Sequence, residues 1–299
     1  MEFLHFLSGY RTPALDLFFQ AVTYMAQELF TVAVICWFYW CSDKKQAYSL
    51  GFTYFSSGLL VQGLKITFRI PRPWILDPNF QPVASALPGA TGYSFPSGHT
   101  QSITALFGTL FLRIKETRKK LLCAAVILLV MFSRMYLGCH TPKDVLVSFT
   151  ITILCVFLAN YFLYKRDFAA GHQGVLSLIM AGICILLCVY SILLNRNGII
   201  STDYTADCLK ASGAGLAFSA GFYIEKRYIR FSPPEKFRAK LIRITAGLAV
   251  AAVLLEGSKA VIGTSLAASF IRYFVTVAWI IVIYPCIFTN LHTSISHIK

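Results

Sequence analysis

Charged residues are scarce in this chain. Only 13% of its 299 residues are Asp, Glu, Lys or Arg, whereas 57% are hydrophobic. Water-soluble domains usually carry about 25% charged residues, so the composition excludes an ordinary soluble protein. Several apolar runs approach the roughly 20 residues that a helix needs to cross a bilayer. We therefore predict an all-α, polytopic membrane protein.

Acidic residues are the scarcer charged type, with 13 Asp and Glu against 27 Lys and Arg, and the formal net charge is +14. A strongly basic chain can indicate nucleic-acid binding. Here, however, the basic residues fall between the apolar runs, where membrane topology explains them. We expect no nucleic-acid partner.

Paired metal-binding motifs are also lacking. The nine cysteines form no Cys-x-x-Cys pair, and those inside apolar runs behave as small hydrophobic residues. A catalytic zinc ion usually takes three protein ligands, and His99 and His140 are the only paired candidates. The sequence predicts neither a metal nor a cofactor.

The apolar runs predict about nine membrane-spanning helices after an amphipathic segment at 11–24. Five prolines make the loop at 70–94 irregular, because proline resists helix formation. No internal repeat or low-complexity segment is found. The predicted spans cover 26–41, 48–69, 96–113, 121–138, 142–164, 174–194, 204–224, 240–259 and 266–290.

The basic loops predict the orientation of these spans. Cytoplasmic loops of membrane proteins are enriched in Lys and Arg. With the N-terminus outside, the loop at 70–94 and the turn between the fourth and fifth spans lie on the extracytoplasmic face. We expect the membrane to be the plasma membrane. The basic segments that then face the cytoplasm are 44–45, 113–120, 165–166 and 226–243.

Two polar stretches lie at the predicted outer face. Lys65 lies near the outer end of the second span and Arg72 just past it, and an arginine fork can bind two phosphate oxygens at once. The alternative is a pair of snorkelling residues.

Ser97 and Gly98 begin the third span, where free N–H groups attract anions. His99 could donate a proton there, or merely follow a simple Pro-Ser helix start.

A third polar stretch runs from Ser133 to Asp144. Arg134 lies near the end of an apolar span, where a charge is costly. His140 precedes the fifth span, and Asp144 in its first turn could orient the imidazole. Alternatively, Asp144 only stabilises the helix N-terminus by about 0.3–1 kcal/mol. Together the three stretches suit phosphoryl transfer without a metal, and their chemistry leaves open which histidine attacks.

These stretches resemble a known family. They are similar to the three signatures of the type-2 phosphatidic acid phosphatase superfamily. Its members are integral-membrane lipid phosphate phosphatases related to vanadium haloperoxidases. The matching motifs are Lys65-x6-Arg72-Pro73, Pro96-Ser97-Gly98-His99 and Ser133-Arg134-x5-His140-x3-Asp144. The resemblance covers about residues 10–165. It implies a six-helix core with an extracytoplasmic site.

The resemblance also implies residue roles. His140 would be the nucleophile and form a phosphohistidine, with Asp144 orienting it. His99 would protonate the leaving oxygen and then activate water. The residues that would bind the phosphoryl oxygens are Lys65, Arg72, Ser97, Gly98 and Arg134.

We expect a phosphatase core at 1–195 and an extension of three transmembrane helices at 196–299. In the extension, Gly213, Ala217 and Gly221 recur every four residues. Such small-residue faces let helices approach closely, either within the chain or in a homodimer.

Glu28 is a further candidate near the outer end of the first span. A carboxylate within a membrane is a functional candidate by default. We expect Glu28 either to line a headgroup pocket or to pair with a cation such as Arg69.

The expected activity is hydrolysis of a lipid monophosphate or diphosphate. Candidate substrates are phosphatidate, phosphatidylglycerophosphate, a polyprenyl diphosphate and a sphingoid-base phosphate. One alternative is a phosphotransferase in which a hydroxyl group replaces water. Another is a lipid transporter or scaffold on the same fold, although the completeness of all three motifs argues against an inactive site.

Overall fold

The structure is a computed structural model that describes residues 1–165 and 169–289, and these residues contain no β-strand. The all-α prediction is therefore confirmed. Arg166 of a predicted cytoplasmic loop and the predicted end of the ninth span at 290 lie outside the described residues. The helices are α1 (Glu2–Ser8), α2 (Pro13–Tyr24), α3 (Glu28–Cys41), α4 (Lys44–Phe68), α5 (Pro73–Leu76), α6 (Gly98–Arg113), α7 (Thr117–Tyr136), α8 (Pro142–Ala159), α9 (Ala169–Arg196), α10 (Thr202–Ile224), α11 (Phe237–Ala252), α12 (Ser258–Ile262) and α13 (Leu266–Ala278).

Every predicted span coincides with a helix in the part of the chain that the structure describes. α8, α10, α11 and α13 are each extended by a wider turn of π-helix, at Asn160–Lys165, Glu225–Ile229, Val253–Gly257 and Trp279–Ile283. These segments lengthen the helices toward the size that a bilayer requires.

The apolar helices make this a multi-pass membrane protein. Among the described residues, five stretches are long and apolar enough to cross a bilayer. α4, α6, α7 and α10 are outside this set, and the count of nine spans therefore stays a prediction. The five stretches are Pro13–Cys41, Pro142–Leu163, Gly171–Arg196, Phe237–Ile262 and Leu266–Thr289.

The chain forms two compact units, and the first comprises Met1–Val32 and Phe52–Tyr161. In this unit α6 packs against both α7 and α8, and α2 packs against α7. Most of α6 from Thr100 to Thr109 is buried, so α6 is the central helix. Its first turn therefore lies beside the end of α7 and the start of α8.

Aromatic packing fixes the end of α7 in the first unit. Phe19 of α2 packs against Tyr136 with ring centroids 4.3 Å apart, and both belong to a buried cluster with Leu137 and Cys139. Gly138 then turns the chain with φ +79°, a conformation that glycine adopts without steric cost. This turn delivers His140 to the interior of the unit.

The second unit comprises Ala33–Gly51 and the chain from Phe162 onward. Glu225 at the end of α10 is fully buried, and it accepts hydrogen bonds from the Nζ of Lys44 and the hydroxyl of Tyr48. This buried polar cluster joins Ala33–Gly51 to the C-terminal helices. The division into 1–195 and 196–299 stays a prediction.

The small-residue face of α10 packs within the chain. α10 lies against α9 and α13. A Cβ atom at Gly213 would lie 2.5 Å from the carbonyl oxygen of Phe270, and one at Gly221 would lie 2.1 Å from the Cγ2 of Ile281. This face is thus covered by the last helix of the same chain. A homodimer through another surface stays a prediction.

Candidate active site

Lys65 and Arg72 flank the irregular loop of the first unit. The Nζ of Lys65, in the last turn of α4, donates to the carbonyl of Tyr93 at 2.5 Å. Arg72 donates from Nε to the carbonyl of Gly92 at 3.0 Å and from Nη2 to that of Thr91 at 2.5 Å. Both side chains are buried. They point inward, unlike snorkelling residues, which extend to the interface.

Ser97 and Gly98 form the start of α6. The N–H of Ser97 donates to the carbonyl of Asp144 at 3.1 Å, and Ser148 donates from its hydroxyl to the carbonyl of Ser97 at 2.6 Å. These bonds fix the first turn of α6 against α8. A Cβ atom at Gly98 would meet no atom within 4 Å, so packing within the chain does not explain why glycine stands there.

Arg134 is almost fully buried at the end of α7, with 1% of its surface exposed. Its Nη1 donates to the hydroxyl of Thr23 on α2 at 3.0 Å. Its Nε and Nη2 are buried and have no hydrogen-bond partner among the described residues. A buried guanidinium with unused donors is costly unless an anion accepts from them.

His140 contacts Arg72 directly. The Nε2 of His140 lies 3.0 Å from the Nη1 of Arg72. A guanidinium only donates hydrogen bonds, so Nε2 must be the accepting, unprotonated nitrogen. The proton of the neutral imidazole is therefore on Nδ1, and the lone pair of Nε2 faces the cations.

Asp144 lies beside the other imidazole nitrogen. Its Oδ2 is 3.6 Å from the Nδ1 of His140, which is beyond a normal hydrogen bond. The same Oδ2 accepts from the hydroxyl of Ser94 at 2.6 Å and from the N–H of Thr141 at 2.8 Å. Asp144 thus caps α8, and its charge also faces His140.

The surroundings of His140 keep its imidazole neutral. Burial has the largest effect and lowers its pKa well below the ordinary value, and the positive charges of Arg72, Arg134 and Lys65 lower the pKa further. Repulsion by like charges and loss of hydration both disfavour the imidazolium form. A neutral imidazole with an available lone pair is a nucleophile.

His99 shares this environment. It is the second residue of α6 and is half-buried. The charges of Arg134, Arg72 and Lys65 act on its side chain, and so does His140. The two histidines predicted from separate motifs therefore lie in one electrostatic environment.

Ser94 and Thr23 were missed by the sequence analysis. Ser94 binds Asp144, which is 50 residues away, and Thr23 binds Arg134, which is 111 residues away. Neither residue has a local pattern that distinguishes it from the many other Ser and Thr residues. Only the fold brings them to the site.

Glu28 begins α3 and is exposed. The Nη1 of Arg69 donates to the carbonyl of Ile66 at 3.3 Å, and the pairing of Glu28 with a cation such as Arg69 stays a prediction. A role for Glu28 in headgroup recognition stays a prediction.

The polar groups of the site suit an anion. Among the described residues, no three His, Cys, Asp or Glu side chains come together as a metal ion would require. Three buried cations, a helix N-terminus and a histidine converge instead, in a helical membrane protein. The fold is thus that of a multi-pass membrane protein, and the charge of these polar groups suits an anion.

The family follows from comparison with known proteins. A family model described as the PAP2 superfamily matches residues 46–168. A second, described as the PAP2 superfamily phosphatase, transmembrane extension, matches residues 209–296. Together they cover more than half of the chain, which belongs to the PAP2 superfamily. The resemblance seen in the three motifs is confirmed.

Curated relatives include three phosphatases. A dihydrosphingosine 1-phosphate phosphatase of Saccharomyces cerevisiae is 28% identical over 58% of this chain and 45% of its own length. A probable sphingosine-1-phosphate phosphatase of Dictyostelium discoideum is 30% identical over 52% of this chain and 40% of its own length. Phosphatidylglycerophosphatase B of Bacillus subtilis is 28% identical over 35% of this chain and 55% of its own length.

The similar stretches span about half the length of these relatives. No solved structure matches the chain.

Proposed function

We propose that this protein is a lipid phosphate phosphatase that acts through a phosphohistidine at His140. One observation carries the proposal: the unprotonated Nε2 of His140 lies 3.0 Å from Arg72 in a buried site, where the charges of Arg134 and Lys65 also act on it. A nucleophile among fixed cations is what transfer of a phosphoryl group requires.

The phosphoryl group is held by donors that the fold leaves unused. Arg134 offers Nε and Nη2, which have no partner among the described residues. The N–H groups of Gly98 and His99 lie in the first turn of α6, where no preceding helical carbonyl can accept from them. These groups and the positive end of the helix bind phosphate oxygens, and the absence of a side chain at Gly98 lets the phosphate approach.

The first chemical step breaks the bond between phosphorus and the lipid oxygen. As Arg72 moves its Nη1 from the imidazole to a phosphoryl oxygen, the Nε2 of His140 forms a bond to phosphorus. The leaving lipid oxygen takes a proton from His99, whose imidazolium form is stabilised by the negative charge of the bound phosphate. The charge of Asp144 stabilises the imidazolium that forms, whose Nδ1 carries the proton.

The second step regenerates the enzyme. His99, now neutral, takes a proton from a water molecule as the water oxygen bonds to phosphorus. The bond between phosphorus and Nε2 breaks, and its electron pair returns to His140. The products are the lipid alcohol and inorganic phosphate. No metal takes part in this route.

Sphingoid-base phosphates are the substrates that we favour, because two of the three relatives carry that substrate in their names. The third is named for phosphatidylglycerophosphate. Phosphatidate and polyprenyl diphosphates are the other candidate substrates to be tested. The positive-inside pattern supports a site at the extracytoplasmic face of the plasma membrane.

A substrate panel tests the proposal. The detergent-purified protein is incubated with each lipid phosphate in the presence of EDTA, and phosphate release is measured. We expect release from at least one lipid, an acid-labile phosphoenzyme, and loss of both in His140→Ala but not in the control His172→Ala.

Two outcomes would overturn the proposal. Transfer of phosphate to an added alcohol without release to water would indicate a phosphotransferase. Folded protein that binds the lipids but forms no phosphoenzyme would indicate a transporter or scaffold.

A further inference from the structure

A cavity lies in the second unit, whereas all the catalytic candidates belong to the first. Its volume is about 560 Å³. It lies at the start of α11 and is bounded by the segment of residues 231–236 on one side and by Phe288 on another. The segment belongs to a basic loop that the charge pattern places in the cytoplasm.

Arg243 is the central charged residue of this cavity. Only 8% of its surface is exposed, and its guanidinium lies 3.8 Å over the ring of Phe288. Nη1 makes two long hydrogen bonds, of 3.3 Å to the carbonyl of Trp40 and 3.4 Å to that of Ser232. Nε and Nη2 have no hydrogen-bond partner among the described residues.

No acidic residue in the described part of the chain pairs with Arg243. Glu235 also lines the cavity, but it is exposed and forms no ion pair with the arginine. Burial of an unpaired guanidinium is costly unless an anion compensates it. Arg243 is therefore a buried cation to which the described residues of its own unit supply no counter-ion.

The cavity also has features of a headgroup site. Lys236 lies at its edge, and the first turn of α11 begins there without a side-chain cap. Phe231 and Phe288 supply apolar walls. A basic pocket between transmembrane helices on the cytoplasmic side is typical of binding sites for anionic lipid headgroups.

We propose that this cavity binds the phosphate headgroup of an anionic phospholipid, with Arg243 as its principal ligand. The phosphate accepts from Nε and Nη2 of Arg243, and the start of the acyl chains lies along Phe231 and Phe288. Lys236 at the mouth adds attraction that salt screens. The lipid is a structural ligand and not a substrate.

Thermal unfolding in nanodiscs tests this proposal. The protein is placed in discs of phosphatidylcholine alone or with phosphatidylglycerol, a phosphodiester that a phosphomonoesterase does not hydrolyse. We expect phosphatidylglycerol to raise the melting temperature by a few degrees, because a ligand that binds only the folded state stabilises it. Arg243→Gln should lose this increase.

Three variants make the outcome decisive. Arg238→Gln, on the same helix but outside the cavity lining, should keep the increase. Ala239→Trp, which fills the cavity and leaves Arg243 intact, should lose it. His140→Ala should keep it, so that failure of the catalytic proposal does not affect the result.

Two results would overturn the headgroup site. One is an equal increase in Arg243→Gln, Ala239→Trp and the unaltered protein, which would mean a general effect of bilayer charge. The other is an equal increase from inorganic phosphate in phosphatidylcholine discs, which would assign the cavity to a free anion.

Discussion

The imidazole of His140 shows how single residues set the chemistry of the site. Arg72 donates a hydrogen bond to the Nε2 of His140, and the carboxylate of Asp144 faces the Nδ1. Burial lowers the pKa of the imidazole. Because the proposed attack needs a neutral imidazole, a lowered pKa would keep His140 reactive at pH values where an ordinary histidine is protonated. The binding of a phosphate dianion then offsets the surrounding positive charge.

Lys65→Met should move the pH dependence of catalysis. Lys65 is one of the charges that lower the pKa of His140, so its removal raises this pKa toward the ordinary value. The acidic limb of kcat/KM, which reports the free enzyme, should move to higher pH. Lys119→Met, at an exposed position, is the control, and coincident acidic limbs in both variants would contradict the assignment.

Ser94→Ala should separate the positioning of Asp144 from substrate binding. The buried carboxylate loses the hydroxyl donor at 2.6 Å, which costs about 1–3 kcal/mol of stability. A displaced carboxylate orients His140 less well, so kcat should fall by about 10- to 100-fold with KM nearly unchanged. Steady-state kinetics and thermal unfolding measure the two effects, with Ser102→Ala as the control.

If Ser94 serves only stability, kcat at a temperature well below melting should equal that of the unaltered protein. That outcome would remove Ser94 from the set of positioning residues.

At the scale of helices, the site depends on how α6, α7 and α8 end and begin. The turn after α7 is the tightest point, because a Cβ atom at Gly138 would lie 2.8 Å from both the Nη2 of Arg11 and the Cζ of Phe80. The same turn places His140 two residues later. We therefore expect helix packing and catalysis to be coupled at this position.

Gly138→Ala should impair activity more than folding of the helices. Its positive φ and close neighbours force the turn to shift, and a shift of about 1 Å at a catalytic group can cost about 100-fold in rate. We expect a large fall in kcat with unchanged helical circular dichroism. In Gly98→Ala the added Cβ atom meets no described neighbour within 4 Å, so the free energy of unfolding of this variant should be unchanged.

Gly221→Ala should destabilise the second unit. The added methyl would overlap Ile281, and overpacking typically costs about 1–3 kcal/mol. Gly182→Ala is the matched control, since its Cβ meets no atom within 4 Å and alanine favours the helix by about 1 kcal/mol. The melting temperature should therefore fall in Gly221→Ala and rise in Gly182→Ala. Ile281→Ala should rescue Gly221→Ala, and failure to do so would contradict the close contact.

At the scale of the whole molecule, the sequence was most informative where patterns are local. Hydrophobic runs predicted each helix that they cover, and the three motifs predicted the family. The contacts of Arg72 with His140, of Ser94 with Asp144 and of Thr23 with Arg134 were not predictable. Each joins residues that are distant in the chain, and their side chains meet only after the helices pack.

The charge pattern predicts which residues face the outside. With the N-terminus outside and nine spans, Asn79→Cys should react with a membrane-impermeant maleimide on intact cells. Lys119→Cys should react only after permeabilisation. Both positions are exposed, and the native cysteines are buried or half-buried. Labelling in the reverse order would invert the topology.

The bond between Arg72 and His140 has a consequence for the resting enzyme. While the guanidinium occupies Nε2, the lone pair of the imidazole is shielded from electrophiles other than the substrate. A phosphate-bearing lipid exposes the nucleophile by attracting Arg72 to its own oxygens, whereas an uncharged lipid does not. In the proposed mechanism, the same arginine would both recognise the substrate and keep the histidine inert toward the neutral lipids that surround it.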